Sequence, residues 1–296
     1  MMSEYAQNTI LDAVLKAVPY YSKPPYLGLF LTAPERATAQ PLGEVATETF
    51  VLDPEFETLV TDHDYIRQPV TFAAAKNRRI WNSKPVIFPK PTATWSSKEH
   101  PIIAAAIMDE KFGGNFLWTG DTRPRRVLKG YPGPTFNPYS LLLSFQSGDI
   151  LLSNYMCNGV LDAILRQTTF TIPDNVYMAL LTDYPDKAED SILEIEILPQ
   201  DDAGRDTGYK RQKITFADAK AGRSLNDDDI IFPVPTADWT ERSDKAVVAT
   251  AIVTEEERSL TTKWLFAKPI DPEYFFMGSV PPKFDAGQIN LLLDER

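Results

Sequence analysis

Apolar residues fall at Ile10, Leu11, Val14, Leu15 and Val18, the spacing of a helix with one buried stripe. Ser3 is placed to cap its first turn, because a hydroxyl there accepts an otherwise unpaired N–H, and Pro19 stops the run. After that the pattern changes to alternation or to short apolar runs: YLGLFLT, IRQPVTF, PVIF, IIAAAIM, NFLWT and YSLLLSF. These predict strands, divided by turn-rich stretches such as FPKPTATW, DEKFGGN and KGYPGPTFNP.

The same succession then begins again. SEYAQNTILDAVL (Ser3 to Leu15) aligns with SNYMCNGVLDAIL (Ser153 to Leu165) at an offset of 150. YIRQPVTFAAA aligns with YKRQKITFADA, and IFPKPTATW with IFPVPTADW, at an offset of 144. Trp118 pairs with Trp264 at 146, and the LLL runs at Leu141 and Leu291 return to 150. Offsets that drift and return mean insertions and deletions in loops between retained elements, so the chain reads as two copies of one fold, residues 1–148 and 149–296. The second copy supplies NVYMALLT, YKRQKITF, IIF, VVATAIV, TKWLFA and INLLLD as strands. The predicted fold is mainly β: two tandem antiparallel β-sandwich or barrel-like domains, each preceded by a short amphipathic α-helix. The short junction Gln146-Ser147-Gly148-Asp149 predicts a fixed arrangement of the two.

Composition narrows the function more than the fold. With 296 residues and 43% apolar content the chain can bury a core. No window approaches a membrane span, and the acidic N-terminal stretch lacks the basic start of a signal peptide, which points to synthesis in a cytoplasm. One cysteine excludes an internal disulfide framework, and two histidines leave little room for zinc. The net charge of −11 argues against binding nucleic acid through phosphate neutralisation. Residues 1–150 hold fifteen basic and fifteen acidic residues, so the whole deficit lies in the second half, at fifteen against twenty-six.

No strong catalytic signature is present, neither a nucleophile elbow nor a phosphate-binding loop nor a metalloprotease helix. Lys111-Phe112-Gly113-Gly114 reads as a hairpin turn. The acidic runs Asn226-Asp227-Asp228-Asp229, Asp201-Asp202 and Glu255-Glu256-Glu257 could offer oxygens to calcium but read better as solvated loops. His63, in a segment the second copy replaces, reads as an exposed loop residue, and Cys157 as a buried inert thiol. Tyr65/Tyr209, Phe72/Phe216 and Trp95/Trp239 read as core, whereas Arg67-Gln68 and Arg211-Gln212 need hydrogen-bond partners or an interface. The positive clusters, Lys76 to Arg79 and Arg123 to Arg126, could meet nucleic acid or, as the better fit, an acidic protein surface, with solvated loops as the equal alternative. No catalytic, cofactor or metal residue is assigned. The candidate interface is Arg78, Arg79, Arg123, Arg125, Arg126, Tyr131 and Trp81.

Both copies open with Ser-x-Tyr-x-x-Asn and a Leu-Asp-Ala run. There follow a strand ending in Leu-Thr, Tyr-x-Arg-Gln-x-Val/Ile-Thr-Phe-Ala-x-Ala, Ile-Phe-Pro-x-Pro-Thr-Ala-x-Trp and a small-residue strand; the first copy adds a Gly-Gly-Asn-Phe-Leu-Trp hairpin. This order resembles small tailed-bacteriophage virion proteins of the tail-fibre-like kind, here as a tandem duplication. The resemblance implies a non-enzymatic β-rich structural protein of the virion, made in the host cytoplasm. Its expected partners are other virion proteins of tail or capsid and further copies of itself, with neither nucleic acid nor membrane. A tail-associated place is the leading expectation, with capsid decoration or cement next. A carbohydrate-binding tail-tip module, using Trp81, Tyr131 and Trp118 on a host-surface glycan, is the competing class. Pro41 to Asp64 and Arg123 to Pro138 are expected to be inserted loops and contact arms.

Overall fold

The computed structural model describes residues 1–20, 22–37, 43–45, 64–96, 98–145, 150–171, 173–186, 191–201, 203–237, 239, 246–274 and 280–293. The first repeat runs α1 (Glu4–Lys16), β1 (Tyr26–Phe30), β2 (Gln68–Pro69), β3 (Arg79–Trp81), β4 (Val86–Ile87), β5 (Ile102–Met108), β6 (Phe116–Arg125), β7 (Thr135–Phe136) and β8 (Leu142–Ser144). The second opens with β9 (Leu151–Leu152), α2 (Asn154–Arg166), β10 (Val176–Leu181), β11 (Gln212–Ile214) and β12 (Arg223–Leu225). It continues through β13 (Ile230–Ile231), β14 (Val247–Val253), β15 (Trp264–Tyr274), β16 (Lys283–Phe284) and β17 (Asn290–Leu292). The mainly β architecture with a helix near the start of each repeat is therefore present.

Both repeats have one topology. An antiparallel sheet of order β2-β1-β5-β6 is matched by β11-β10-β14-β15-β9, and two-stranded ribbons β3-β8 and β4-β7 are matched by β12-β17 and β13-β16. β5 and β14 are apolar almost throughout because both sheet faces are covered. On one face of the first sheet lie Phe30, Ala104, Ala106, Met108 and Phe116, and the other face joins a core cluster drawn from both repeats.

The helix start is set as its sequence indicates. Ser3 Oγ accepts from Ala6 N at 3.1 Å and donates to the Phe116 carbonyl at 2.6 Å, so the cap also pins α1 to β6. Ser153 caps α2 in the same way. The end differs from expectation: Ala17 takes a left-handed conformation after Lys16, so Val18 lies outside the helix and is 45% exposed instead of completing the stripe.

Two further expectations need correction. The ladders place Phe116 opposite Met108 and Trp118 opposite Ile107, while Trp264 faces Val253 and Phe266 faces Ile252. Trp118 thus corresponds to Phe266, and Trp264 to Phe116. Arg123 to Pro138 is not an insertion either, since it contains the end of β6 and β7, whose counterparts β15 and β16 exist in the second repeat. His63, most of Pro41 to Asp64, and the 146–149 junction fall outside the described residues.

The repeats are joined by a reciprocal clasp. Lys76 to Arg79 and Lys220 to Arg223 are tight hairpin turns whose central residues, Asn77-Arg78 and Ala221-Gly222, all have positive φ. Asn8 and Asp12 sit one turn apart on α1 and reach the second repeat's turn: Gly222 N donates to Asn8 Oδ1 at 2.8 Å and Ala219 N to Asp12 Oδ1 at 2.9 Å. Asn158 and Asp162 on α2 do the same to the first repeat, taking Arg78 N at 2.9 Å and Ala75 N at 2.8 Å. Lys16 and Asp218 add an ion pair beside the first contact. The approach is close enough that a Cβ on Gly222 would lie 2.1 Å from Gln7 Oε1. At the reciprocal positions the residues are Arg78 and Cys157, a larger turn residue with a smaller helix residue.

Asp12→Ala should lower stability by about 1–3 kcal/mol, because it strands a turn N–H, whereas Asp12→Asn keeps an acceptor and should lose much less. Urea unfolding checks the difference, and hydrogen exchange at the Ala219 amide should accelerate in the alanine variant alone.

Candidate functional site

Among the described residues, each repeat buries a charged cluster built on a Glu, a Tyr and an Arg. In the first, Arg67 Nε and Nη2 donate to Glu44 Oε1 and Oε2 at 2.7 and 2.6 Å, a bidentate pair, and Nη1 donates to the Glu110 and Gly113 carbonyls of the β5–β6 hairpin. Tyr65 donates to Glu44 Oε1 at 3.1 Å and accepts from Leu29 N at 2.7 Å. In the second, Arg211 grips Glu196 at 2.8 and 2.7 Å and reaches the Glu255 and Glu257 carbonyls, while Tyr209 joins Glu196 to Leu180 N. Arg258 Nε adds a second cation at 3.1 Å from Glu196 Oε2.

Burial pushes the Tyr65 and Tyr209 phenols well above their ordinary value, and the adjoining Glu44 and Glu196 charges push the same way. Burial opposes the Arg67 charge, but the Glu44 hydrogen bonds and charge outweigh it and hold the guanidinium above its usual range. These arginines are the retained polar residues whose partners the sequence left open. The partners are Glu44 and Glu196, which sequence reasoning missed because they lie in unlike surroundings, Gly-Glu-Val and Ile-Glu-Ile. Gln68 and Gln212 turn back onto the carbonyls of Ile66 and Lys210. Together these groups lock strand, loop and hairpin.

The retained aromatics are core. Tyr65, Phe88 and Trp95 pack with the Tyr65–Trp95 pair edge-on at 5.3 Å, and Tyr209, Phe232 and Trp239 repeat that geometry at the same distance. The acidic runs serve local structure. Asp201 caps its own turn, Glu255 accepts from Ser259, Thr261 and Thr262, and Asp229 pairs with Lys283. Among the described residues no three His, Cys, Asp or Glu side chains are grouped to hold a metal ion, and no helix is long and apolar enough to cross a membrane.

The candidate interface residues separate into three places. Arg78 belongs to the clasp through its backbone N–H. Arg79 and Trp81 lie on β3, opposite Ser144 and Leu142 of β8. Arg123 and Arg125 are on the outer half of β6, with the Arg125 guanidinium over the Phe136 ring at 5.7 Å. Arg126 is exposed, and Tyr131, 64% exposed, stands in the turn closed onto the Leu128 carbonyl.

Between the outer half of β6 and β8 lies a cavity of about 840 Å³, whose walls include Arg123, Arg125, Trp118 and Phe136. Trp118, named for an exposed sugar-stacking surface, is only 2% exposed, so its face is packed away. A second cavity of about 530 Å³ lies between α1 and α2, walled by Ile10, Val14, Val160, Ile164, Tyr20 and Phe170. Burial also raises the Tyr20 phenol.

These features define a class: a tandem-repeat antiparallel β protein whose repeated polar groups clasp one copy to the other and lock each copy internally. The chain belongs to the family described as podophage GP4 fiber I protein gp80, whose model matches residues 1–138 and again residues 151–290. It is thus a duplicated member of a phage fibre family. No curated protein matches the chain.

Arg67→Ala should cost about 3–5 kcal/mol, because Glu44 is left buried without its cation, and Arg211→Ala should cost less because Arg258 remains on Glu196. Equilibrium denaturation of the two variants gives the order directly. In an alkaline absorbance titration Tyr65 and Tyr209 should stay neutral beyond about pH 10, where an unfolded phenol ionises. Since their folded pKa values are raised, stability should hold below that pH and fall as pH rises toward the folded values.

Proposed function

We propose that the chain is a non-enzymatic, tail-associated structural component of the virion that acts by protein–protein assembly. One observation carries the reading: a fibre-family scaffold occurs twice in one chain, and the clusters repeated in both copies, Glu44-Tyr65-Arg67 and Glu196-Tyr209-Arg211, are engaged within the fold. What differs between the copies is their charge, neutral in one half and strongly acidic in the other. A scaffold of this kind presents two unlike surfaces at a fixed relation, which suits a part placed between other virion proteins or further copies of itself. Arg123, Arg125, Arg126 and Tyr131 are the positive and aromatic groups on the first repeat that would meet an acidic neighbour.

Electron microscopy of purified virions, labelled with an antibody against residues 123–138 and with copies counted per particle, tests this. Label at one pole in low copy is the expected result. Label over the whole head at lattice stoichiometry would make the protein a capsid decoration component instead, and absence from the virion would overturn both placements.

A further inference from the structure

The cavity between the two helices is built from like parts. Ile10, Val14 and Tyr20 of the first repeat line it, and Val160, Ile164 and Phe170, their counterparts in the second, line it from the other side. It therefore sits across the approximate two-fold relation of the repeats. Both helices end on it, since Ala17 and Gln167, which cap α1 and α2 at their C-termini, are among its walls. The two ends are held close together: Ser22, just beyond α1, donates through Oγ to the Ile164 carbonyl at 3.0 Å. Val18, Thr168 and Thr169 are exposed at the rim, so the space is reached from solvent. Its volume of about 530 Å³ is within the range of small-molecule sites.

The electrostatics of the cavity are one-sided. The last carbonyls of a helix have no intrahelical N–H to accept from, which leaves a partial negative charge at each C-terminus. A basic residue in the last turn can offset that charge, and each helix carries one, but both are engaged elsewhere: Lys16 pairs with Asp218 and Arg166 with Asp162 at 3.0 Å. None of the described residues lining the cavity is basic, and Asp174 adds a carboxylate. Val18, Tyr20 and Phe170 meanwhile offer accessible apolar surface. A fatty acid would bring its carboxylate to the wrong potential, and a plain hydrocarbon would leave both helix ends unmet. We propose that this cavity binds a linear aliphatic diamine, with its polymethylene chain against Val18, Tyr20 and Phe170 and one ammonium at the C-terminal end of each helix. A ligand with two like ends suits a pocket with two like ends. The binding goes beyond the structural role proposed above and is measured on the purified chain, so it can fail while the virion placement stands, and the reverse.

Chemical-shift mapping on the isotope-labelled full chain provides the test, with cadaverine against pentylamine, pentanediol and glutarate. Salt at about 0.15 M screens bare attraction to the acidic surface. Cadaverine should move the amides around Ala17 and Gln167 and bind about fivefold or more tighter than pentylamine, the worth of a second cation at a partly buried helix C-terminus. Pentanediol and glutarate should leave those amides in place. Thr168→Lys sets a tethered ammonium at the rim and should abolish cadaverine binding, whereas Thr168→Gln should keep it; the position is exposed, so both variants fold. Shifts spread over the acidic loops of the second repeat would mean counter-ion binding alone and would overturn the proposal. Equal binding of cadaverine and pentylamine or pentanediol, no response to cadaverine, or binding unchanged in Thr168→Lys would do so as well.

Discussion

Four hydrogen bonds from helix side chains to the hairpin turns of the opposite repeat hold this molecule's two halves in one arrangement. Asn8 and Asp12 reach Gly222 and Ala219, and Asn158 and Asp162 reach Arg78 and Ala75. Each helix is also fastened to its own sheet by its capping serine, so it lies between its own strands and the other repeat's turn. The relation is that of an isologous dimer interface, in which each side offers the same parts to the other, realised within one chain. Because α1 and α2 both contribute to a core cluster that includes residues of both repeats, the arrangement is set by packing as well as by these bonds.

Within each repeat the Glu-Tyr-Arg cluster has a comparable task at shorter range. Buried charge is costly unless paired, and here a bidentate pair, a phenol and two hairpin carbonyls leave Arg67 with few unmet donors. The second repeat reaches the same end through different loops, with Arg258 and Thr262 replacing parts of the Gly-Gly hairpin. Repetition of the chemistry despite altered loops supports a structural reading of the cluster.

Much of the fold was legible in the sequence because it is local. The capping serines and the strands at IIAAAIM and VVATAIV follow from short-range pattern, and the duplication follows from plain self-similarity. β3 and β12 were hidden, since three-residue strands carry little periodicity and their partners β8 and β17 lie far along the chain. Alignment of the two tryptophans misled because aromatic identity outweighed register, which only the ladders reveal. The Asn and Asp of the helix motif were visible as repeated residues, but nothing local shows that they act on the other copy. Of the candidate interface residues, Arg123 and Arg125 do meet at one cleft, while Arg78 is drawn into the clasp. Glu44 and Glu196 were missed because a buried arginine announces the need for a carboxylate without saying where it comes from.

The clasp makes the two repeats one cooperative body. Differential scanning calorimetry of the full chain, with the calorimetric enthalpy compared with the van't Hoff enthalpy, tests it most directly. A single transition in which the two enthalpies agree is the expected result. Two resolved transitions, or a calorimetric enthalpy near twice the van't Hoff value, would show the repeats unfolding independently and contradict it.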